Sequence, residues 1–207
     1  MLTIEEARTD LLKLLQTKSV FRGDFTLASG ARSNYYIDCR LTTFDPKGAW
    51  LVGQVMHGLI RKEEQARKVH VDSVGGLTMG ADPIALAVGM FSHLAKDASV
   101  LRSFAVRKAA KAHGQTKLIE GNFQKTDTVV VIDDVVTSGE STINAIQAVT
   151  REGAKIAFIA VLVDRQQGGR ERIEQMGYPV ISAFRRADLL GESPTPEGQQ
   201  GSYAAAR

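Results

Sequence analysis

Residues 128–141 of the chain read TVVVIDDVVTSGES, and this stretch decides the predicted fold. Four apolar residues, Val129–Ile132, run straight into two carboxylates, Asp133 and Asp134. The pattern predicts a buried strand that ends at Ile132 and a helix that begins near Ser141. The loop between them has acid at one end and many backbone N–H groups at the other. Such a loop suits a ligand with hydroxyls on one side and phosphate on the other.

Length and composition indicate an ordinary globular protein. The chain has 207 residues, 43% hydrophobic and 24% charged, which is enough for one substantial core. No apolar run reaches the length of about 20 residues that a membrane helix needs, and the first residues lack a secretory signal core. Cys39 is the only cysteine, so no disulfide framework is expected. These features predict a cytoplasmic protein, and a net charge of +3 does not by itself argue for nucleic acid.

Strands and helices are predicted to alternate from Val69 onwards. We expect helices at about 3–18, 45–60, 81–94, 141–151 and 170–176, and strands at about 69–74, 99–106, 128–132, 155–163 and after Pro179. Residues 20–40 are rich in β-formers broken by glycine, which predicts a hairpin or short strands. The alternation predicts an α/β fold whose parallel sheet is covered on both faces. Ligands then bind beyond the carboxyl ends of the strands.

The acidic loop has the chemistry of a sugar-phosphate site. The N–H groups of Thr137–Ser141, at the start of a helix, form a candidate anion cradle, and Glu140 must then point to solvent. Asp133 and Asp134 cannot belong to the phosphate end, because they carry like charge. They suit sugar hydroxyls, or positive charge that develops on a sugar carbon. An acidic turn and N-cap is the simpler alternative, and two carboxylates followed by TSGES argue against it.

A basic segment, RKAAKAHG at residues 107–114, follows another predicted strand. Its cations Arg107, Lys108, Lys111 and His113 suggest a second element that binds polyphosphate. The alanines and the final glycine would let it move as a lid that excludes water. A solvated helical face is the alternative interpretation, since runs of charge are often only that.

Two further strand ends carry weaker signals. In GGLTMGAD, residues 75–82, two glycines after a strand would allow backbone amides to face an anion. In VDRQQGGRER, Arg165 follows a strand and is placed to bind a planar acid with both arms of its guanidinium. A surface arginine is the alternative for that residue.

The motif VVVIDDVVTSGES resembles the phosphoribosyl-diphosphate motif of type I phosphoribosyltransferases: hydrophobics, two acids, a spacer, then TSG or TGG. Other segments resemble the orotate phosphoribosyltransferase family. FTLASGARSNYYID, residues 25–38, is similar to its N-terminal signature, and RKAAKAHG followed by IEG is similar to its mobile catalytic loop. VDRQQGG is similar to its Asp-Arg-Gln segment. The resemblance runs in order from about residue 20 to 170.

The resemblance implies a role for each segment. Asp133 and Asp134 would hold the ribose hydroxyls, Arg165 would bind the orotate carboxylate, and Lys111 and His113 would join the two aspartates as catalytic residues. It assigns the sugar diphosphate to Arg107, Lys108, Lys111, His113, Asp133, Asp134, Val135, Val136, Thr137, Ser138, Gly139, Glu140 and Ser141, and orotate to Thr137, Arg165, Tyr36 and Ile37.

The resemblance also implies a fold, a cofactor and partners. One phosphoribosyltransferase domain would span residues 1–207: a helix and small N-terminal hood to about 45, an α/β core at about 65–185 and a flexible tail at about 191–207. Mg²⁺ would be held mainly through the substrate, without a dedicated protein cluster. The family implies a homodimer in which part of the lid reaches the partner subunit's site. Neither a membrane nor nucleic acid is expected as a partner.

The chain departs from the family at two lysines, whose positions hold Ala28 and Met79. Arg22, Arg32 or the backbone amides of Gly75–Gly80 are candidate replacements for their contacts with diphosphate.

Three other functions share part of the pattern. A phosphoribosyltransferase for another base would share the sugar-phosphate loop, but Arg165 and the segment SGARS favour an acidic pyrimidine. A non-catalytic regulator that binds the sugar diphosphate would need a nucleic-acid surface, and the leading helix is not basic. A generic nucleotide binder lacks support, because neither G-x-G-x-x-G after a first strand nor a P-loop occurs.

Overall fold

The computed structural model describes residues 2–26, 32–109 and 117–192. Every helix and strand predicted above is present, with three short additional elements. In chain order the elements are α1 (Ile4–Lys18), β1 (Val20–Thr26), β2 (Arg32–Ile37), α2 (Arg40–Thr43), α3 (Pro46–Arg67), β3 (Ser73–Leu77), α4 (Ala81–Leu94), β4 (Arg102–Val106), β5 (Ile119–Gly121), β6 (Thr128–Val136), α5 (Glu140–Glu152), β7 (Lys155–Asp164), α6 (Gly169–Gln175), β8 (Val180–Arg185) and α7 (Arg186–Leu190).

The N-terminal part forms a helix and a separate hairpin. Thr3 caps α1 in a reciprocal capping box with Glu6. Ala7, Leu11 and Leu15, spaced by four residues, face the core. Strands β1 and β2 pair antiparallel as a two-stranded sheet of their own, which we call the hood.

The rest of the described chain is built on a six-stranded sheet with the order β5-β4-β3-β6-β7-β8. Five of its strands are parallel, and β5 pairs antiparallel with β4, so the sheet is mostly rather than wholly parallel. Helices α1, α3 and α4 bury one face, and α5 and α6 bury the other. The central strand β6 is therefore covered on both sides, which explains its unbroken apolar run.

The predicted end of the central strand is wrong. Strand β6 continues through both aspartates to Val136, because its backbone still pairs with Val161, Val163 and Asp164 of β7. The two carboxylates thus lie on the strand rather than in a loop, and the loop begins at Thr137. Neighbouring residues on a strand point to opposite faces, so Asp133 and Asp134 start from different sides of the sheet.

The predicted glycine loop is also corrected. Strand β3 begins four residues later than expected, so Gly75 and Gly76 are buried inside it. A Cβ on Gly75 would lie 2.2 Å from the Phe104 carbonyl oxygen, and one on Gly76 would lie 1.9 Å from that of Ile132. These glycines allow close packing of the sheet, and the loop that remains is Thr78–Gly80.

Other boundaries differ at surface elements. Helix α3 extends past the predicted Ile60 to Arg67, where a pair between Arg67 and Glu63 spans one turn. Short elements α2, β5 and α7 carry too few residues for a periodic signal. Within the described ranges, no helix is both long and apolar enough to cross a membrane.

Candidate functional site

A cavity of about 340 Å³ opens where the hood faces the carboxyl ends of β3, β6 and β7. The hood side contributes two charged residues and the sheet side contributes four. The residues that line it are Tyr36, Ile37, Asp38, Cys39, Arg40, Leu77, Thr78, Met79, Gly80, Lys108, Asp133, Asp134, Val135, Thr137, Ser141 and Arg165. The fold thus brings together nine of the predicted site residues, from four segments that are far apart in sequence.

Asp133 is held on the α5 side of the sheet. Its side chain is 5% exposed, and its Oδ2 accepts a hydrogen bond from the Thr142 hydroxyl over 2.6 Å. Its Oδ1 accepts the backbone N–H of Asp134 at 3.0 Å. Burial, followed by the charge of Asp134, raises the pKa of Asp133 above its usual range. Each carboxylate oxygen has a further lone pair, so this group can still accept from a ligand hydroxyl.

Asp134 lies against the loop Thr78–Gly80. A Cβ built on Gly80 would be only 2.4 Å from its Oδ1, so glycine is required for this approach. The same Oδ1 accepts the N–H of Val135 at 2.9 Å. Burial raises the pKa of Asp134 as well. Two adjacent carboxylates with raised pKa values favour a ligand that donates hydroxyls or carries positive charge.

The predicted phosphate loop leads from β6 into α5 and is braced by α6. Gly139 has a φ of 77°, in the left-handed region that favours glycine. A Cβ on Gly169 of α6 would lie 2.5 Å from the Thr137 carbonyl oxygen and 2.7 Å from the Gly139 nitrogen. The Gly-Gly of the VDRQQGG segment therefore lets α6 support the loop. Glu140 is exposed, as the sequence predicts for an anion cradle.

Arg165 is the most unusual side chain in the cavity. It is 6% exposed, its backbone N–H donates to the Val136 carbonyl at 3.0 Å, and its guanidinium lies 5.2 Å over the Tyr35 ring. Its Nε and one Nη are buried without a hydrogen-bond partner among the described residues. A buried guanidinium with unpaired donors is costly. The surface alternative for Arg165 is therefore wrong, and the site suits an anionic planar ligand.

Tyr35 is a contact that sequence reasoning missed. The predicted pair Tyr36 and Ile37 does line the cavity, but Tyr35 is the buried aromatic that packs on Arg165. Tyr36 is 38% exposed and packs against Phe25 of β1, with ring centroids 5.8 Å apart. The alternation of β2 could have indicated Tyr35, because it shares a strand face with Ile37.

The basic segment is only partly within the described residues. Lys108 borders the cavity, whereas Arg107 lines a neighbouring cavity of about 450 Å³ together with Glu140, Ser141 and Arg151. Lys111 and His113 lie outside the described residues. Of the other predicted contacts, Val136, Ser138 and Gly139 are not among the cavity residues, and the buried Val136 side chain packs into the core instead.

Several cavity residues were not singled out from the sequence. Asp38, Cys39 and Arg40 follow β2 and line the cavity together with the loop Thr78–Gly80. Two candidate replacements for the missing lysines do not reach it: Arg22 donates to the Leu190 carbonyl at 2.8 Å, and neither Arg22 nor Arg32 is a lining residue.

Comparison with known proteins agrees with this geometry. A family model described as "Phosphoribosyl transferase domain" matches residues 78–177. An orotate phosphoribosyltransferase of Aquifex aeolicus is 39% identical over 92% of this chain and 100% of its own length. One of Tropheryma whipplei is 43% identical over 88% of this chain and 82% of its own.

Solved structures give the same result. The Mycobacterium tuberculosis orotate phosphoribosyltransferase, in a complex with Fe(III) dicitrate, superposes with a TM-score of 0.74 at 36% identity, covering 88% of this chain and 98% of that one. Type I phosphoribosyltransferase architecture, with its mostly parallel sheet between helices, accounts for the fold described above. On the identity and coverage of these relatives, the chain belongs to the orotate phosphoribosyltransferase family, enzymes that make orotidine 5-monophosphate for pyrimidine biosynthesis.

Proposed function

We propose that the cavity under the hood is where this enzyme transfers the phosphoribosyl group of 5-phosphoribosyl 1-diphosphate to orotate. The observation that carries this assignment is Arg165, a buried guanidinium with unpaired donors at the end of β7. Orotate is a planar ring with a carboxylate, and a carboxylate accepts both arms of a guanidinium. Uracil and the purines lack that group. Thr137, Tyr36 and Ile37 would complete the contacts with the base.

The reaction displaces diphosphate at the anomeric carbon. An orotate nitrogen forms the new C–N bond while the C–O bond to diphosphate breaks, so positive charge develops on the ribose and negative charge on the leaving group. Asp133 and Asp134 would accept hydrogen bonds from the ribose hydroxyls and stabilise the positive charge. The loop Thr137–Ser141 would hold the 5-phosphate. These groups are placed before the reaction begins, which is the arrangement that stabilises a transition state.

The basic segment would neutralise the negative charge on the leaving diphosphate. Lys108 borders the cavity, and Arg107 lies beside it. Lys111 and His113 stay predictions as the catalytic cations of a lid, in charge neutralisation or proton transfer to the leaving group.

We propose Mg²⁺ as the cofactor, held mainly through the substrate. Its chemistry would be to neutralise diphosphate charge. The donor set fits this arrangement, because the neighbouring carboxylates of Asp133 and Asp134 line the cavity and supply the oxygen ligands that Mg²⁺ prefers. Among the described residues, no group of three or more His, Cys, Asp or Glu side chains is arranged for a metal. Hard cations such as Mg²⁺ keep water and phosphate ligands and need few protein groups.

Arg165→Leu tests the assignment of the base. Orotate consumption, followed by its absorbance with Mg²⁺ and the sugar diphosphate, should fall about 100-fold or more in kcat/KM, because a buried charge pair is lost. Binding of the sugar diphosphate, measured by calorimetry, should stay near the wild-type value. Arg186→Leu is the control, since Arg186 makes an exposed pair with Glu192.

Uracil as the paired substrate makes the test specific. If activity with uracil falls as much as activity with orotate, Arg165 does not bind the carboxylate of orotate. If the unaltered protein binds the sugar diphosphate but consumes no orotate, with or without Mg²⁺, the proposed function itself is wrong.

We also propose a homodimer, and a cytosolic location consistent with the single buried Cys39. Family resemblance supports the dimer, and so does an apolar surface that we call the α3–α4 patch: the exposed Trp50 of α3 with Leu86, Met90 and Leu94 of α4. These side chains are 43–59% exposed, an unusual apolar surface for a monomer. The exposed Met79, just before α4, borders the cavity.

A further inference from the structure

We propose that Arg40 is a contact residue for the diphosphate of the sugar substrate, on the hood side of the cavity. This inference rests on the function proposed above and concerns a residue to which the resemblance assigns no role. It follows from the position of the ribose, from the cations that line the cavity, and from the pairing of Arg40 with Asp38.

The leaving diphosphate must lie close to the loop Thr78–Gly80. Asp134, which accepts from a ribose hydroxyl in the proposed reaction, packs directly against Gly80. One of the two ribose carbons that carry these hydroxyls is bonded to the anomeric carbon, so the diphosphate extends from this same part of the cavity. The loop itself offers only Thr78, the uncharged Met79 and backbone amides. A strongly anionic group therefore needs cations from the surrounding walls.

Only three cationic side chains, Arg40, Lys108 and Arg165, line the cavity within the described residues. Arg165 lies at the end of β7 over Tyr35, where it serves the carboxylate of the base. Lys108 approaches from the lid side. Arg40 lines the cavity from the hood side, where the loop Thr78–Gly80 is also a lining segment. Burial raises the pKa of Asp134, and the charge of Arg40 opposes part of this rise. Arg40 therefore lies close enough to Asp134, in the proposed ribose site, to act on its carboxylate.

Asp38 orients the Arg40 guanidinium without using all of its donors. Arg40 Nε donates to Oδ1 and one Nη donates to Oδ2 of Asp38, both at 2.8 Å. A guanidinium has five N–H groups, so three remain for a ligand. The planar pair fixes the direction of those three donors, which lowers the entropic cost of binding phosphate oxygens. The Arg40 side chain is half exposed, so a ligand in the cavity can reach it.

The test compares ligands with and without the diphosphate. We expect Arg40→Met to weaken binding of 5-phosphoribosyl 1-diphosphate, and of inorganic diphosphate with Mg²⁺, by about tenfold or more in calorimetry. Binding of orotidine 5-monophosphate, which has no diphosphate, should change by much less. Arg67→Met is the matched control, because Arg67 also pairs through Nε with an acid but lies on the outer surface of α3.

Selective loss of the diphosphate ligands supports the assignment. Equal losses for all three ligands, or none for the diphosphate ligands, would overturn it. If Arg40→Met does not fold, Arg40→Lys is the second variant, because it keeps the charge and loses the paired N–H donors of the guanidinium. It should give a smaller loss of affinity with the same selectivity for the diphosphate ligands. Because binding is measured without turnover, a protein that never consumes orotate would refute the proposed function and leave this test intact.

Discussion

Replacing Thr142 by valine should shift the pH dependence of turnover. The Thr142 hydroxyl donates to Asp133 Oδ2 over 2.6 Å, and both side chains are buried. Burial and then the charge of Asp134 raise the pKa of Asp133, while this hydrogen bond opposes the rise. Valine has nearly the same shape without the donor, so Thr142→Val removes a stabilising contact of the charged carboxylate and leaves the packing in place.

The size of the shift follows from the hydrogen bond. A bond to a charged group contributes roughly 1.5–3 kcal/mol, and one pKa unit corresponds to about 1.4 kcal/mol. The pKa of Asp133 should therefore rise by about 1–2 units in Thr142→Val. In the proposed reaction only the ionised carboxylate stabilises positive charge on the ribose. As the pH is lowered, Thr142→Val should therefore lose activity at a higher pH than the unaltered enzyme does. Its activity should recover when the pH is raised again.

The assay is kcat/KM for the sugar diphosphate from about pH 5 to about pH 9, with orotate consumption as the signal. Thr43→Val is the matched control: Thr43 is equally buried, and its hydroxyl has no hydrogen-bond partner among the described residues. An acid limb that stays where it is in Thr142→Val, or moves equally in Thr43→Val, would refute the reasoning. A uniform loss of activity at every pH would also refute it, because that result indicates displacement rather than titration.

Two further predictions concern the cavity wall and the apolar surface. Gly80→Ala would place a Cβ 2.4 Å from Asp134 Oδ1, so the carboxylate must move by about 1 Å. As a result, kcat/KM should fall about 100-fold. Gly58→Ala is the control and should retain activity, because its Cβ would meet only the flexible end of a side chain. Met90→Glu in the α3–α4 patch should convert a dimer to a monomer in sedimentation equilibrium and reduce turnover, whereas a monomeric unaltered protein would contradict the proposed dimer.

The sheet was predictable because buried strands carry their signal locally. The apolar run at β6 and the alternation of strands with helices depend on neighbours in sequence. The true end of β6 could not be read in that way, because pairing past Ile132 depends on Val161 and Val163 of another strand. The prediction of a glycine loop at Gly75 and Gly76 was wrong for the same reason. The contacts that require glycine there come from Phe104 and from Ile132, on the two adjacent strands.

The residues that line the cavity could be predicted where a motif specifies their chemistry. They could not be predicted where the hood completes the cavity. The aspartates, Thr137 and Arg165 come from strand ends, which a parallel sheet gathers at one edge. Arg40 has no local signal, since an arginine after a short strand is usually a surface residue. Its role depends on how the hood folds over the sheet, and no pattern in either segment encodes that packing.

The cavity keeps the charges of Arg165 and Asp133 apart, and this separation fits catalysis better than stability. Arg165 is anchored through Val136 and Tyr35 and forms no ion pair with the buried Asp133. Asp133 accepts from Thr142 and from the backbone and keeps further lone pairs for a ligand. A salt bridge between them would lower the cost of burying each charge. It would also consume both groups that the reactants need in the proposed reaction: the cation for the carboxylate of orotate, and the anion for the charge on ribose. The substrates, rather than the fold, then supply the compensating charges, so part of the binding energy is available only when both reactants are in place.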